Sequence, residues 1–335
     1  MEKRRLEYID AIKGLAIFLM VMGHVLPWSF EDFYAVRDNG PYSASFWWRV
    51  IYAFHMPLFF CVSGFLYGKK GNLGFNEGLH VIWKRVRTLL VPFICVGLLF
   101  HFTTGGPITK YWFLRTLFIV TFINVCYDFV RTKLRLGTIW DILFYMVSFI
   151  VLFIIGRHYK DTLADEIFGL KYFGGFNYLA FCLGIVIRRY DKIKVLIENN
   201  ATYSLCLAVF IILLFPLSVP KIVTKFLMCF SGIVCVWYLM KYIFTDGAIV
   251  HLMRKYGRHS LDIYLAHFFL NISIVEVGAY FVRLASGDTY FSILTGCMLQ
   301  LIYSVGVSFL ICSVCLLVAK IFKSGKIGVL LFGKA

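Results

Sequence analysis

The stretch YIDAIKGLAIFLMVMGHVLPW, residues 8–28, is an apolar run long enough to cross a hydrocarbon core, broken only by Asp10, Lys13 and His24. It lacks the polar/apolar alternation of a barrel strand and is about twice a barrel strand's length, so an α-helix is the spanning solution. Lys3, Arg4 and Arg5 precede it, as they would precede a signal peptide. Lys13 interrupts the apolar stretch, however, and no small-x-small cleavage site follows, so the segment reads as a retained helix.

Further runs of the same kind fill the chain. Their charge clusters and Gly, Pro and Asn breaks predict ten spans, at about 8–27, 46–68, 84–102, 111–131, 138–156, 172–188, 200–217, 221–244, 259–283 and 290–320. The composition agrees: of 335 residues, 60% are hydrophobic, 19% aromatic and only 16% charged, with mean hydropathy +0.80. A water-exposed surface needs roughly a quarter of the residues charged. A soluble globule is therefore excluded, and the expected class is an all-α polytopic membrane bundle.

The net charge of +16 first suggests a nucleic-acid partner. The distribution of the charges argues against one. Lys and Arg concentrate at 3–5, 69–87, 131–135, 188–194, 241–258 and 320–334, short clusters that fall on one side when the predicted spans alternate. Both termini are then cytoplasmic, and the basic segments face an anionic leaflet and membrane lipid. The ten cysteines lie scattered in apolar segments without metal-ligand spacing, and they read as small buried hydrophobes. No metal is expected.

Ionisable groups inside spans cost at least about 2.5–3.5 kcal/mol each and are functional candidates. In the first helix eleven positions separate Lys13 from His24, which places both on one face about 16 Å apart. The second helix carries His55 two residues before Pro57. A proline in a helix interior kinks it, so His55 and His24 are expected to share a cavity open to the far side. WKRVRTLLVPF crowds Lys84, Arg85 and Arg87 at the cytoplasmic boundary. Such a cluster serves either as a topology signal or as a clamp for a phosphate-bearing ligand. YWFLRTLF puts Tyr111, Trp112 and then Arg115 at the outer interface, either as belt anchors or as acceptor contacts. The ninth span, GRHSLDIYLAHFFLNISIVEVGAYFV, lines up Asp262, His267, Asn271 and Glu276 near one side.

Two function classes fit these residues. A proton-coupled transporter of a small polar solute would use His, Asp and Glu as a relay; a membrane acyltransferase would use a histidine as general base toward a hydroxyl. Paired broken helices in inverted repeats would favour transport, and the sequence shows no internal repeat. A cytosolic basic cluster combined with a deep histidine favours a phosphate-bearing donor.

The same motifs resemble those of integral-membrane acyltransferase family 3. Lys13 and His24 are similar to its first-helix pattern of a basic residue, ten intervening residues and a histidine. FHMPLFFCVSGFL with His55 resembles its second-helix signature, KRVRTLLVPF its basic segment, YWFL its Trp-Phe-Leu element, and GRHSLDIYLAH its late segment ending in His267. Lys84 departs from the family's arginine pair, and Arg115 stands where a small residue or proline is usual. The resemblance implies one membrane acyltransferase domain over residues 1–335, without an appended soluble domain, as a multi-pass protein of the cell inner membrane. It also implies acetyl-CoA as donor, held by Lys13, Lys84, Arg85 and Arg87, and a hydroxyl of an extracytoplasmic glycan as acceptor. His24 is then the expected base and His55 a catalytic partner that orients it or stabilises the oxyanion. Trp112, Arg115, His267 and Glu276 are the expected acceptor-side residues.

Overall fold

A computed structural model describes residues 6–30, 44–68, 73–173, 176–215, 220–270, 275–285 and 289–323. Among the described residues there is no β-strand. The long helices are α1 (Glu7–Ser29), α2 (Ala44–Gly68), α3 (Phe75–Thr104), α4 (Trp112–Leu134) and α5 (Thr138–His158). Shorter pieces follow: α6 (Leu163–Phe168), α7 (Asn177–Arg189), α8 (Asp191–Ile197) and α9 (Asn200–Ile212). Then come α10 (Lys221–Ile243), α11 (Ala248–Arg258), α12 (Ser260–Ala266), α13 (Val275–Ala285) and α14 (Tyr290–Phe322).

Among the described residues seven helices (α1–α5, α10 and α14) are long and apolar enough to cross a membrane, and α8 with α9, bent by 56°, would make an eighth. Three of the ten expected spans take another form. The predicted 172–188 span appears as α7, whose 13 residues rise only about 20 Å, less than a hydrocarbon core. The predicted 200–217 span appears as α9, likewise 13 residues long and bent from α8. The predicted 259–283 span breaks after Ala266 into a 3₁₀ turn at His267–Phe269 and resumes as α13. At the break the His267 ring bonds the carbonyl of Tyr264. The predicted 84–102 span is longer than expected, because α3 begins at Phe75. Lys84 and Arg85 end its first α-helical part, and Arg87 lies in the π-helical turn Val86–Leu90 that follows.

The chain divides into two compact units, residues 1–58 with 197–320 and residues 59–196 with 321–335. The division falls in α2, next to Pro57. In the first unit α1 is the most enclosed span, with Ile12, Ile17, Val21 and Leu26 fully buried. It packs against α11 by direct backbone approach. A Cβ added at Gly14 would lie 1.8 Å from the Met253 carbonyl oxygen, and one at Gly257 would lie 1.8 Å from that of Asp10. Lipid supplies no hydrophobic drive between helices, so close contact of this kind through small residues holds membrane helices together.

The second unit repeats the device. Gly64 of α2 meets the Phe181 carbonyl of α7, and Gly184 of α7 meets that of Cys61, each at 1.9 Å from the missing Cβ. The same unit contains a buried polar network. Arg189 donates to both carboxylate oxygens of Asp128, at 2.7 and 2.6 Å, and Tyr67 donates to Asp128 at 2.6 Å. Asp141 accepts from Tyr127, Tyr190 and Arg131 at 2.6–2.8 Å. The network ties α2, α4, α5 and α7 at one end. α5 otherwise turns outward, with Ile142, Val147, Ile150 and Ile154 exposed as lipid-facing residues would be.

Candidate functional site

His24 stands half-buried on α1. Its ring centroid lies 5.6 Å from that of Trp28, stacked at 20°, 5.3 Å from that of His267 and 5.0 Å from that of Phe268. The helix break brings this about: the 3₁₀ turn sets His267 and Phe268 side by side, with ring centroids 4.0 Å apart. His267 is fully buried, and its Nδ1 lies 2.8 Å from the Tyr264 carbonyl oxygen. A carbonyl only accepts, so Nδ1 carries the proton and Nε2 is the basic nitrogen.

His55 is fixed in the same way. It is buried, and its Nδ1 lies 2.8 Å from the Ile51 carbonyl oxygen one turn earlier. Tyr52 joins it to α1: the Tyr52 ring sits 4.8 Å from the His55 ring and packs on Gly23, where an added Cβ would lie 2.8 Å from Cε2. Trp48 stacks on Tyr52 at 4.1 Å. The first unit therefore sets the His24 and His267 rings together with Trp28 and Phe268, and fixes His55 beside Tyr52, with the tautomers of His267 and His55 defined. Such a site can accept a proton from a hydroxyl at a neutral ring nitrogen while holding bulk water away.

Lys13 lies half-buried on the same unbroken helix as His24, next to the Gly14 crossing. Glu276 belongs to α13, but its side chain lies outside the described residues, as does Asn271 altogether.

The second unit holds the other candidates. Lys84 and Arg87 are exposed, and Arg87 lies over the Trp83 ring at 5.0 Å. Arg85 is half-buried and has Tyr67 as an electrostatic neighbour. Of the three, Arg85 is the one turned toward the inside of the unit. Trp112 stacks flat on Tyr172, with centroids 4.1 Å apart and planes 9° from parallel. Arg115 is buried and donates to the Glu166 and Ile167 carbonyls at 2.5 and 2.6 Å. It caps the C-terminal end of α6, where carbonyls lack helix partners. A Cβ at Gly169 would meet its Nη2 at 2.5 Å. Asp165 anchors the other side of this segment by accepting from the backbone N–H groups of Lys171 (2.8 Å) and Asp161 (3.1 Å). Burial pushes its carboxyl up, but these two donors and the Lys171 ammonium outweigh it and hold the carboxyl below the usual range.

Sequence reasoning missed the Asp128–Arg189–Asp141 network. Its signal was present: Asp128 and Asp141 both fall within predicted spans, where a carboxylate needs a partner. Arg189, within the basic cluster 188–194, reads in the sequence as part of the orientation signal. The contribution of Tyr52 is invisible in sequence, since one more tyrosine on an aromatic helix carries no mark.

Helices of this length and apolarity are those of a multi-pass membrane protein. The family model described as an acyltransferase domain matches residues 6–320, and the chain belongs to that family. Among curated proteins it is similar to the nodulation protein NolL of Sinorhizobium fredii (strain NBRC 101917 / NGR234). The two are 31% identical over 123 residues, a match covering 31% of this chain and 32% of NolL. The chain thus matches about a third of that relative's length. No solved structure matches.

Proposed function

We propose that this protein is a membrane O-acetyltransferase that moves an acetyl group from cytosolic acetyl-CoA to a hydroxyl of an extracytoplasmic acceptor, a cell-surface glycan, across the cell inner membrane. The observation that carries this reading is the imidazole cluster: His24 and His267, with ring centroids 5.3 Å apart, lie inside a chain whose family transfers acyl groups.

In this reading His24 removes the proton from the acceptor hydroxyl as its oxygen attacks the thioester carbonyl. The C–O bond forms, the C–S bond breaks, and the proton held by the imidazole passes to the departing CoA thiolate. His55 and His267 each keep Nδ1 on a backbone carbonyl and so present Nε2 in a fixed tautomer. His55 polarises the reacting groups and His267 positions the acceptor. The 84–87 cluster serves the donor's phosphates, and within it the half-buried Arg85 is the principal contact. Trp112, stacked with Tyr172, gives a sugar ring an apolar face. Arg115 shapes that side by holding α6.

The test is transfer in proteoliposomes loaded with surface glycan from cells lacking the gene, with labelled acetyl-CoA added to the side bearing the basic clusters. Label on the glycan supports the reading. Accumulation of a polar solute in sealed vesicles without acetyl-CoA would instead show a transporter.

A further inference from the structure

The buried face of α14 is polar where an apolar one would suffice. Gln300, Ser304 and Ser308 succeed one another at four-residue spacing and are all fully buried; below them the face continues as Ile311, Cys312 and Cys315. Ser308 satisfies its hydroxyl on the Ser304 carbonyl. Among the described residues Gln300 has neither its amide nitrogen nor its amide oxygen paired, and the Ser304 hydroxyl has no partner either. A third orphan, the Ser29 hydroxyl, lies at the end of α1 and is 1% exposed.

Contacts within the first unit put these three in one neighbourhood. Phe30 meets Tyr303, and Phe281 of α13 meets the same ring, both at 6.0 Å. Trp47 of α2 donates to the Cys297 carbonyl, one turn from Gln300. A Cβ on Gly278 of α13 would collide with the Ser29 carbonyl. Farther down, Phe18 meets Phe309 at 4.5 Å. The stretch of α1 between Phe18 and Phe30, which carries His24, thus touches the stretch of α14 that carries Ser304 through a ring contact at each end.

Buried amides and hydroxyls are normally paired, and those that are not call for an explanation. All three groups are neutral, and each both donates and accepts. An anion would call for a cation and an acyl chain for an apolar wall. A sugar, whose hydroxyls also donate and accept together, fits. Resting on the acetyltransferase reading, we infer that Gln300, with Ser304 and Ser29, is an acceptor-binding site for carbohydrate hydroxyls beside His24. Gln300 would accept a hydroxyl proton on Oε1 and donate from Nε2 to a neighbouring sugar oxygen.

The test compares wild type with Gln300→Leu and Ser304→Ala in detergent and in proteoliposomes. The probes are the methyl glycosides of glucose, galactose, mannose and rhamnose, together with N-acetylglucosamine. At least one of these should raise the wild-type unfolding temperature, as a ligand of the folded state must, and should fail to do so in Gln300→Leu. With that sugar as acceptor, KM for the sugar should rise at least tenfold in Gln300→Leu, while KM for acetyl-CoA moves less than twofold. Gln300→Asn should recover part of the loss. Removing an orphan amide in favour of an apolar group leaves the sugar-free unfolding temperature unchanged or higher; a lowered temperature with unaltered KM would mark a core residue and overturn the inference. So would equal sugar shifts in wild type and variant, or the absence of a shift with every probe. A sugar shift lost in Gln300→Leu, in a protein that transfers no acetyl group, would refute the acetyltransferase reading and leave the site standing.

Discussion

Replacing Asp128 by alanine should be among the most destabilising single changes in the second unit. The carboxylate accepts three bonds of 2.6–2.7 Å, two from Arg189 and one from Tyr67, and the Arg189 and Asp128 side chains are only 7% and 1% exposed. Breaking such a pair from one side leaves a charge buried without its counter-ion, at about 3–5 kcal/mol. Arg189 retains Asp141 at 3.7 Å and the Tyr145 hydroxyl at 3.0 Å, so the loss should lie near the lower end, about 3 kcal/mol. That is a factor of roughly 150 in the folded-to-unfolded ratio. The charge-free double variant Asp128→Leu with Arg189→Met should recover most of it, since replacing a whole buried pair by apolar groups is often neutral. Reversible denaturation in mixed micelles measures both. A single variant within about 1 kcal/mol of wild type, or a double variant no better than the single, would refute the view that unpaired charge sets the cost.

The glycine crossings predict that Gly14→Ala and Gly184→Ala each lose at least the 1–3 kcal/mol of core overpacking, because the added Cβ meets a backbone carbonyl at 1.8–1.9 Å; Gly137→Ala, with nothing within 4 Å, should be near neutral in the same assay. Asp165 should give a pH signature. Its folded carboxyl is held below the ordinary value, so its stabilisation is present above about pH 4 and fades as pH falls through the depressed folded value. Asp165→Asn should therefore unfold more easily than wild type at pH 7, and the gap should close on acidification; a gap independent of pH would contradict the assignment. Arg85→Ala should raise the KM for acetyl-CoA several-fold more than Lys84→Ala or Arg87→Ala, read from initial rates; equal effects would mean that burial does not mark the donor contact.

The helical membrane class was legible from 8–28 onward, because an apolar run of that length has one spanning solution. Span count was less legible. Hydropathy over 259–283 reads as continuous, and nothing local marks the 3₁₀ turn at His267–Phe269 where the helix breaks. His24 and His267 were both recognisable as costly residues, yet their meeting depends on that same break. Arg115 illustrates the reverse difficulty. Its place beside Trp112 suggested an acceptor contact, whereas the structure commits its guanidinium to the Glu166 and Ile167 carbonyls, partners about fifty residues away that only the fold supplies. Gln300 escaped notice because one amide in a long apolar run looks unremarkable until its partners are sought.

The central claim is that an imidazole on α1 takes the acceptor's proton during acetyl transfer, and one measurement bears on it most directly. Proteoliposomes containing wild type, His24→Ala or His24→Gln at equal inserted amounts receive labelled acetyl-CoA, and label on the enclosed glycan is followed. The account predicts transfer by wild type and a fall of at least 100-fold in both variants, in line with the loss of a general base, with acetyl-CoA affinity retained. Transfer by His24→Ala at a rate near wild type would contradict it.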